Sequence, residues 1–181
     1  MNTYKFELLS PYAKSGKKTY QYEKSISAEQ HLPNNYLELL SQYDGGIFFR
    51  NGAKIKTKTE IPIISNEYIS ITFLFGRTQD NYGLNYIANH LPADIPSSYI
   101  PIAECDWGDF ICFEINSGKI FYWWHEALYE SECFYLLAND INEFIAHLEP
   151  EEPEEHNDNK TGFNGSIAIF KELLAKQPTK K

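Results

Sequence analysis

The chain has 181 residues and no apolar run of membrane-spanning length, which suits one domain with a core large enough to need no disulfide or metal staples. Aromatic residues make up 15%, as 13 Tyr, 12 Phe and 3 Trp, which excludes a disordered chain and favours a sheet, because flat rings pack well on a pleated surface. Acidic residues outnumber basic ones 25 to 16, for a formal net charge of -9. That balance repels nucleic-acid phosphates and either draws the chain to a basic protein surface or serves solubility alone. The three cysteines, Cys105, Cys112 and Cys133, are odd in number and contain no CxxC pair, so neither a disulfide framework nor a zinc ribbon is indicated. The start of the sequence lacks the basic and apolar stretches of a signal peptide, which points to a reducing cytoplasm.

Residues 4–9 alternate, with Tyr4, Phe6 and Leu8 on one face, and residues 19–22 are β-prone. A turn-rich stretch between them predicts a loose hairpin, within an N-terminal segment of residues 1–31. Ser27 then caps a short turn, with Gln30 closing the box. Pro33 opens the first helix at its first position. Tyr36, Leu39, Leu40 and Tyr43 form its apolar face, and Asp44-Gly45-Gly46 ends it. Residues 47–49 read as a short buried strand and residues 53–66 as a solvated edge strand or loop. Residues 68–75 form the strongest strand, broken by Gly76, and a short helix runs from Leu84 to Leu91. The prolines at 96 and 101 predict a sheet edge at the entry to the next strand. Residues 109–115 alternate cleanly, and a turn at 116–119 leads into the return strand at 120–124, with one more strand at 134–137. Asp140 caps a helix with Glu143 as its partner, and Ile141, Phe144, Ile145 and Leu148 form its stripe. Residues 149–162 are an acidic flexible linker, and residues 163–177 an amphipathic helix ending before Pro178.

The order of these pieces resembles a known family. Leu32-Pro33-Asn34-Asn35-Tyr36, an apolar helix and then Asp44-Gly45-Gly46 are similar to the opening signature of the SUKH superfamily, the Smi/Knr-type domain. Ile100-Pro101-Ile102-Ala103 before Trp107-Gly108-Asp109 resembles its turn into a central hairpin. Residues 118–126 resemble its strand ending in Trp-Asp-His, and residues 138–145 its closing helix. The resemblance covers roughly residues 32–148 within a domain at 1–148, and rests on four motifs in order. It implies an α+β fold, a twisted, mostly antiparallel sheet with helices packed against it. It also implies a non-enzymatic protein binder: bacterial members resemble immunity proteins that neutralise a cognate toxin, often a nuclease, while fungal relatives are regulatory scaffolds. Two departures stand out. The family usually starts with a helix carrying acidic residues, where residues 1–24 read as strands, and Trp124 occupies a position where Asp is common.

The chemistry-bearing side chains make no catalytic pattern. Cys112 reads as an apolar filler, Cys105 has its thiolate disfavoured by Asp106, and His125 lacks the second histidine of a helical zinc pair. His125 reads instead as a structural hydrogen-bonder. Gly45-Gly46 ends a helix, whereas a phosphate cradle begins one. No cofactor or metal is expected. On a strand Trp123 and Trp124 face opposite ways, one into the core and the other free to anchor a partner, and the sequence does not say which. The expected partner-binding residues are Asp80, Glu104, Asp106, Trp107, Asp109, Trp123 and Trp124. The expected partner is a toxin with a basic surface, with no nucleic acid or membrane, and a homo-oligomer is left open. The competing reading is a regulatory scaffold of the Smi/Knr type.

Overall fold

The computed structural model describes residues 4–16, 27–128 and 133–151. Among them eight strands build one sheet: β1 (Pro11–Lys14), β2 (Gly46–Phe49), β3 (Lys54–Lys56), β4 (Tyr68–Leu74), β5 (Tyr99–Cys105), β6 (Phe110–Glu114), β7 (Ile120–Trp123) and β8 (Phe134–Ala138). The order is β1-β2-β4-β5-β6-β7-β8, each neighbouring pair antiparallel, and β3 joins β2 on the same side of β4. Four short helices complete an α+β domain: α1 (Tyr4–Leu8), α2 (Asn34–Leu40), α3 (Leu84–Ala88) and α4 (Ile141–His147).

The central strands are covered on both faces. Phe110, Ile111, Cys112 and Phe113 are all buried, so β6 carries a continuous apolar run instead of a half-polar alternation. Phe110 pairs with Trp123 on one face, and Ile111 with Tyr122 on the other. Ring contacts cross the sheet from β2 to β7: Phe48 to Phe73 at 4.9 Å, Phe73 to Phe75 at 5.0 Å, Phe75 to Phe110 at 6.1 Å, and Phe110 stacked on Trp123 at 5.6 Å. Each such pair adds about 0.5–1.5 kcal/mol beyond the area it buries.

α4 packs against β8, which precedes it, and against β3 and α1, so it carries the chain back over the sheet. Asp140 starts it: one carboxylate oxygen accepts from the backbone N–H of Asn142 at 2.7 Å and of Glu143 at 2.9 Å. Glu143 answers by accepting from the Asn139 N–H at 2.6 Å, one residue upstream of the position a capping box uses. Its other oxygen holds Lys58 Nζ at 2.7 Å. Beyond α4, Glu149 exchanges both backbone hydrogen bonds with Lys54, at 2.8 and 2.9 Å, and the Glu151 N–H donates to Asn51 O at 3.0 Å. The acidic tract at 149–162 therefore begins tied to β3; its remainder and the expected helix at 163–177 lie outside the described residues.

Several expectations are corrected. Residues 4–8 are helical, not a strand. Phe6 and Leu9, three apart, are both buried while Leu8 is 48% exposed, the spacing of a helix turn rather than of a pleat. Packing against α4 decides this, since five residues hold no helix alone. The helix carries Glu7, so the departure from the family's acidic opening helix disappears here. The strand comes later, at β1, within the stretch read as a turn, and residues 19–22 lie outside the described residues. Pro101 does not mark an edge: β5 is interior, between β4 and β6, and its register shifts between Pro101 and Ala103. A bulge is the place where an interior strand tolerates a missing donor. Ser27 precedes a single 3-10 turn at Ala28–His31 but makes no side-chain cap bond, and Pro33 precedes α2 rather than opening it. α2 also ends at Leu40, before the double glycine. Gly45 takes φ +140, and its carbonyl presses so closely on Gly76 that any Cβ there would collide with it.

Asp140→Ala should cost about 1 kcal/mol, read as a lower urea midpoint. Lys58, with help from Asn139, holds the Glu143 carboxyl down to about 2. Its unfolded value is about 4.3, so its contribution is complete above that pH and is lost as pH falls toward about 2. Carboxyl NMR titration should show that low midpoint, and Lys58→Met should raise it.

Candidate functional site

The site forms where β5 hands over to β6 beside the end of β7. β5 ends at Cys105, and the chain turns through Asp106-Trp107-Gly108. Trp107 is at φ 67 and Gly108 at φ 90, a left-handed pair. A Cβ on Gly108 would meet nothing within 4 Å, so the glycine answers to backbone conformation and not to space. The Cys105 N–H donates to Asp109 O at 2.9 Å and closes the turn. Trp107 at its apex is 91% exposed.

Beneath the turn lies Asp109, only 2% exposed. One oxygen accepts from the His125 N–H at 3.0 Å and from His125 Nδ1 at 2.7 Å, and the other accepts the Tyr122 hydroxyl. Three donors make a buried carboxylate tolerable, and they join the start of β6 to the end of β7. Burial, then the bond to Asp109, pushes the Tyr122 hydroxyl far above its ordinary range, so it stays a donor.

Around this node is an open pocket of about 350 Å³, lined by Ile63, Ile64 and residues 68–70 on one side and by Asp106, Trp107, Trp124, His125 and Glu126 on the other, with Cys105, Asp109 and Tyr122 at its floor. Trp124 is half-buried here, and its backbone N–H donates to Cys133 O at 2.9 Å. The sequence left open which of the paired tryptophans faces out; Trp124 lines the pocket, while Trp123 is buried against Phe110. The indole N–H groups of both are buried without an acceptor among the described residues.

Of the seven residues singled out in the sequence, the structure brings Asp106, Trp107, Asp109 and Trp124 to this pocket. Asp109 and Trp123 are buried, and Trp123 does not line the pocket. Asp80 is also buried, and elsewhere: it accepts from the Gly16 N–H at 2.5 Å and the Tyr82 N–H at 2.9 Å, holding the loop after β1 to the turn before α3. Glu104, half-buried opposite Phe73 and Phe110, points to the sheet face away from Cys105, and burial raises its carboxyl pKa. Sequence reasoning missed Ile63, Ile64 and Tyr68; the signal was an apolar Ile-Pro-Ile-Ile inside an otherwise polar loop, with Ile63 left 46% exposed.

Cys105 and His125 line the same pocket, but no hydrogen bond joins them among the described residues. Burial, then the charges of Asp109 and Asp106, pushes the Cys105 thiol up, the reverse of what an activated nucleophile needs. His125 turns Nδ1 to Asp109 and Nε2 toward Glu126, 3.9 Å away. Among the described residues no group of three His, Cys, Asp or Glu side chains could hold a metal ion, and no helix is long and apolar enough to cross a membrane.

This hairpin, with its Trp-Gly-Asp turn and the Trp-Trp-His strand end that secures it, falls within the part of the sequence that a family model matches. The model is that of the SMI1 / KNR4 family (SUKH-1), over residues 22–147. The chain belongs to this family. The SUKH-1 match takes in all four segments whose order resembles the superfamily. The chain is also similar to the SPbeta prophage-derived uncharacterized protein YokK of Bacillus subtilis (strain 168), 28% identical over 152 residues, covering 75% of this chain and 77% of that one. No solved structure matches it.

In this SUKH-1 chain Tyr122→Phe removes one of three donors to a buried carboxylate. It should cost about 1–3 kcal/mol by urea unfolding, with the far-ultraviolet circular dichroism of the folded state unchanged.

Proposed function

We propose that the chain is an immunity protein that binds a cognate toxin and neutralises it stoichiometrically, covering the toxin's active cleft so that substrate cannot enter. The observation that carries this reading is Trp107, a large aromatic held 91% exposed on a left-handed turn beside the exposed Asp106 and a pocket. An indole in water contributes nothing to its own fold, and Trp is the residue most often found anchoring an interface. Membership of the SUKH-1 family supports the reading, because bacterial members resemble immunity proteins. So does a net charge of -9, which would speed encounter with a basic toxin and turn nucleic acid away. The complex would form in the cytoplasm, with Asp106, Trp107 and Trp124 at the contact and the buried Asp109 and Trp123 holding them in place.

Co-expression with the toxin encoded beside this gene should restore growth, and the purified pair should run as a 1:1 complex. Trp107→Ala should weaken that complex by about tenfold or more, about 1.4 kcal/mol or above, with an unchanged melting temperature because the side chain packs on nothing it would leave empty. No complex and no protection would overturn the reading.

A further inference from the structure

The lining of the pocket has a chemical bias beyond its being exposed. No lysine or arginine is among its residues, whereas Asp106, Asp109 and Glu126 are. Asp109 is saturated by Tyr122 and His125, which leaves two carboxylates that face solvent. The Asp106 carboxylate accepts only a long 3.4 Å bond from Thr72 Oγ1 among the described residues, and the Glu126 side chain is 71% exposed. Four tyrosine and tryptophan rings share the lining, of which Tyr122 is buried at the floor with its hydroxyl on Asp109. Tyr68 already carries a cation, with Lys54 Nζ 4.6 Å from its ring centroid, so Trp107 and Trp124 are the rings left to a visitor.

We propose that this pocket is an anchor site for one arginine side chain presented by the partner protein, its guanidinium laid on an indole face and turned toward Asp106 and Glu126. The identity of that partner rests on the immunity reading; the anchor itself does not. Indole faces attract cations through the ring quadrupole, with Trp the strongest of the three ring types. A carboxylate at the ring's edge adds direct attraction. Guanidinium suits this pairing better than ammonium: it is planar, weakly hydrated, and can stack while its N–H groups reach a carboxylate. An apolar side chain would use the rings and Ile63 but would leave both carboxylates to be desolvated without a partner. A volume of about 350 Å³ accommodates the whole arginine side chain and part of its flanking backbone.

The test uses the whole chain labelled with 15N, whose three indole N–H signals report separately. The probe is the blocked peptide acetyl-glycyl-arginyl-glycinamide, with the neutral isostere bearing citrulline and a leucine version as controls. The arginine peptide should shift the Trp107 and Trp124 signals saturably, with a dissociation constant on the order of millimolar, and leave Trp123 in place. The citrulline and leucine peptides should bind at least about fivefold more weakly, and Asp106→Asn, Glu126→Gln and Trp107→Ala should each weaken the arginine peptide by a similar factor. Equal binding of the citrulline peptide, or no saturable shift up to about 20 mM, would overturn the anchor. Protection from the toxin separates the two claims. If Asp106→Asn with Glu126→Gln abolishes peptide binding yet protects as the wild type does, the anchor role in the complex is overturned and the immunity reading stands. If the wild-type chain gives no protection but takes the peptide selectively, the immunity reading fails and the cation site stands.

Discussion

A buried carboxylate with three donors organises the turn and the pocket beside it. Asp109 stands where β6 begins, and its partners, Tyr122 and His125, stand where β7 ends. Closing that network fixes the two strand ends against each other, and with them the turn that carries Trp107 and the segment that carries Trp124 and Glu126. Of the side chains facing solvent, Asp106 adds one long bond from Thr72 Oγ1 at 3.4 Å, outside the Asp109 network. This division lets the outer surface vary in chemistry while the frame beneath stays the same, since a change at Trp107, Asp106 or Glu126 touches no part of the Asp109 network except the 3.9 Å approach of Glu126 to His125.

Much of the frame was legible in the sequence, because strong periodicity and capping chemistry are local. The strand at β4, the hairpin of β6 and β7, and the cap at Asp140 all came from patterns that a few neighbouring residues complete. The misreadings share a cause. Phe6 and Leu8 alternate like a strand, but α1 packs on α4 and the Phe6 ring meets Tyr43 and Phe49, which buries Phe6 with Leu9 instead, and nothing near residue 6 in the sequence reveals it. Pro101 looked like an edge marker because its missing donor is a local fact, whereas the bulge that excuses it depends on the register of β5 against β6.

The site was legible only in part. Trp107 beside a glycine in an acidic turn is a local signal, and its exposure follows. Asp109 carries the same acidic character two residues on, yet it turns inward because Tyr122 and His125, more than ten positions away, offer it donors. Asp80 is drawn inward in the same way by the Gly16 N–H. Charge in a sequence therefore says little about which carboxylates meet solvent until the available N–H and O–H groups are counted. The far wall at Ile63 and Ile64 comes from the loop after β3, and only the fold brings it to the turn.

The backbone pairing of Glu149 with Lys54 has a consequence at the opposite side of β3 from β4. A three-residue border strand would otherwise show its outward amides to any extended chain. Here the protein's own acidic segment takes that seat at Lys54, so this border is capped by a sequence whose charge repels copies of itself, and the ends of the sheet are left to β1 and β8.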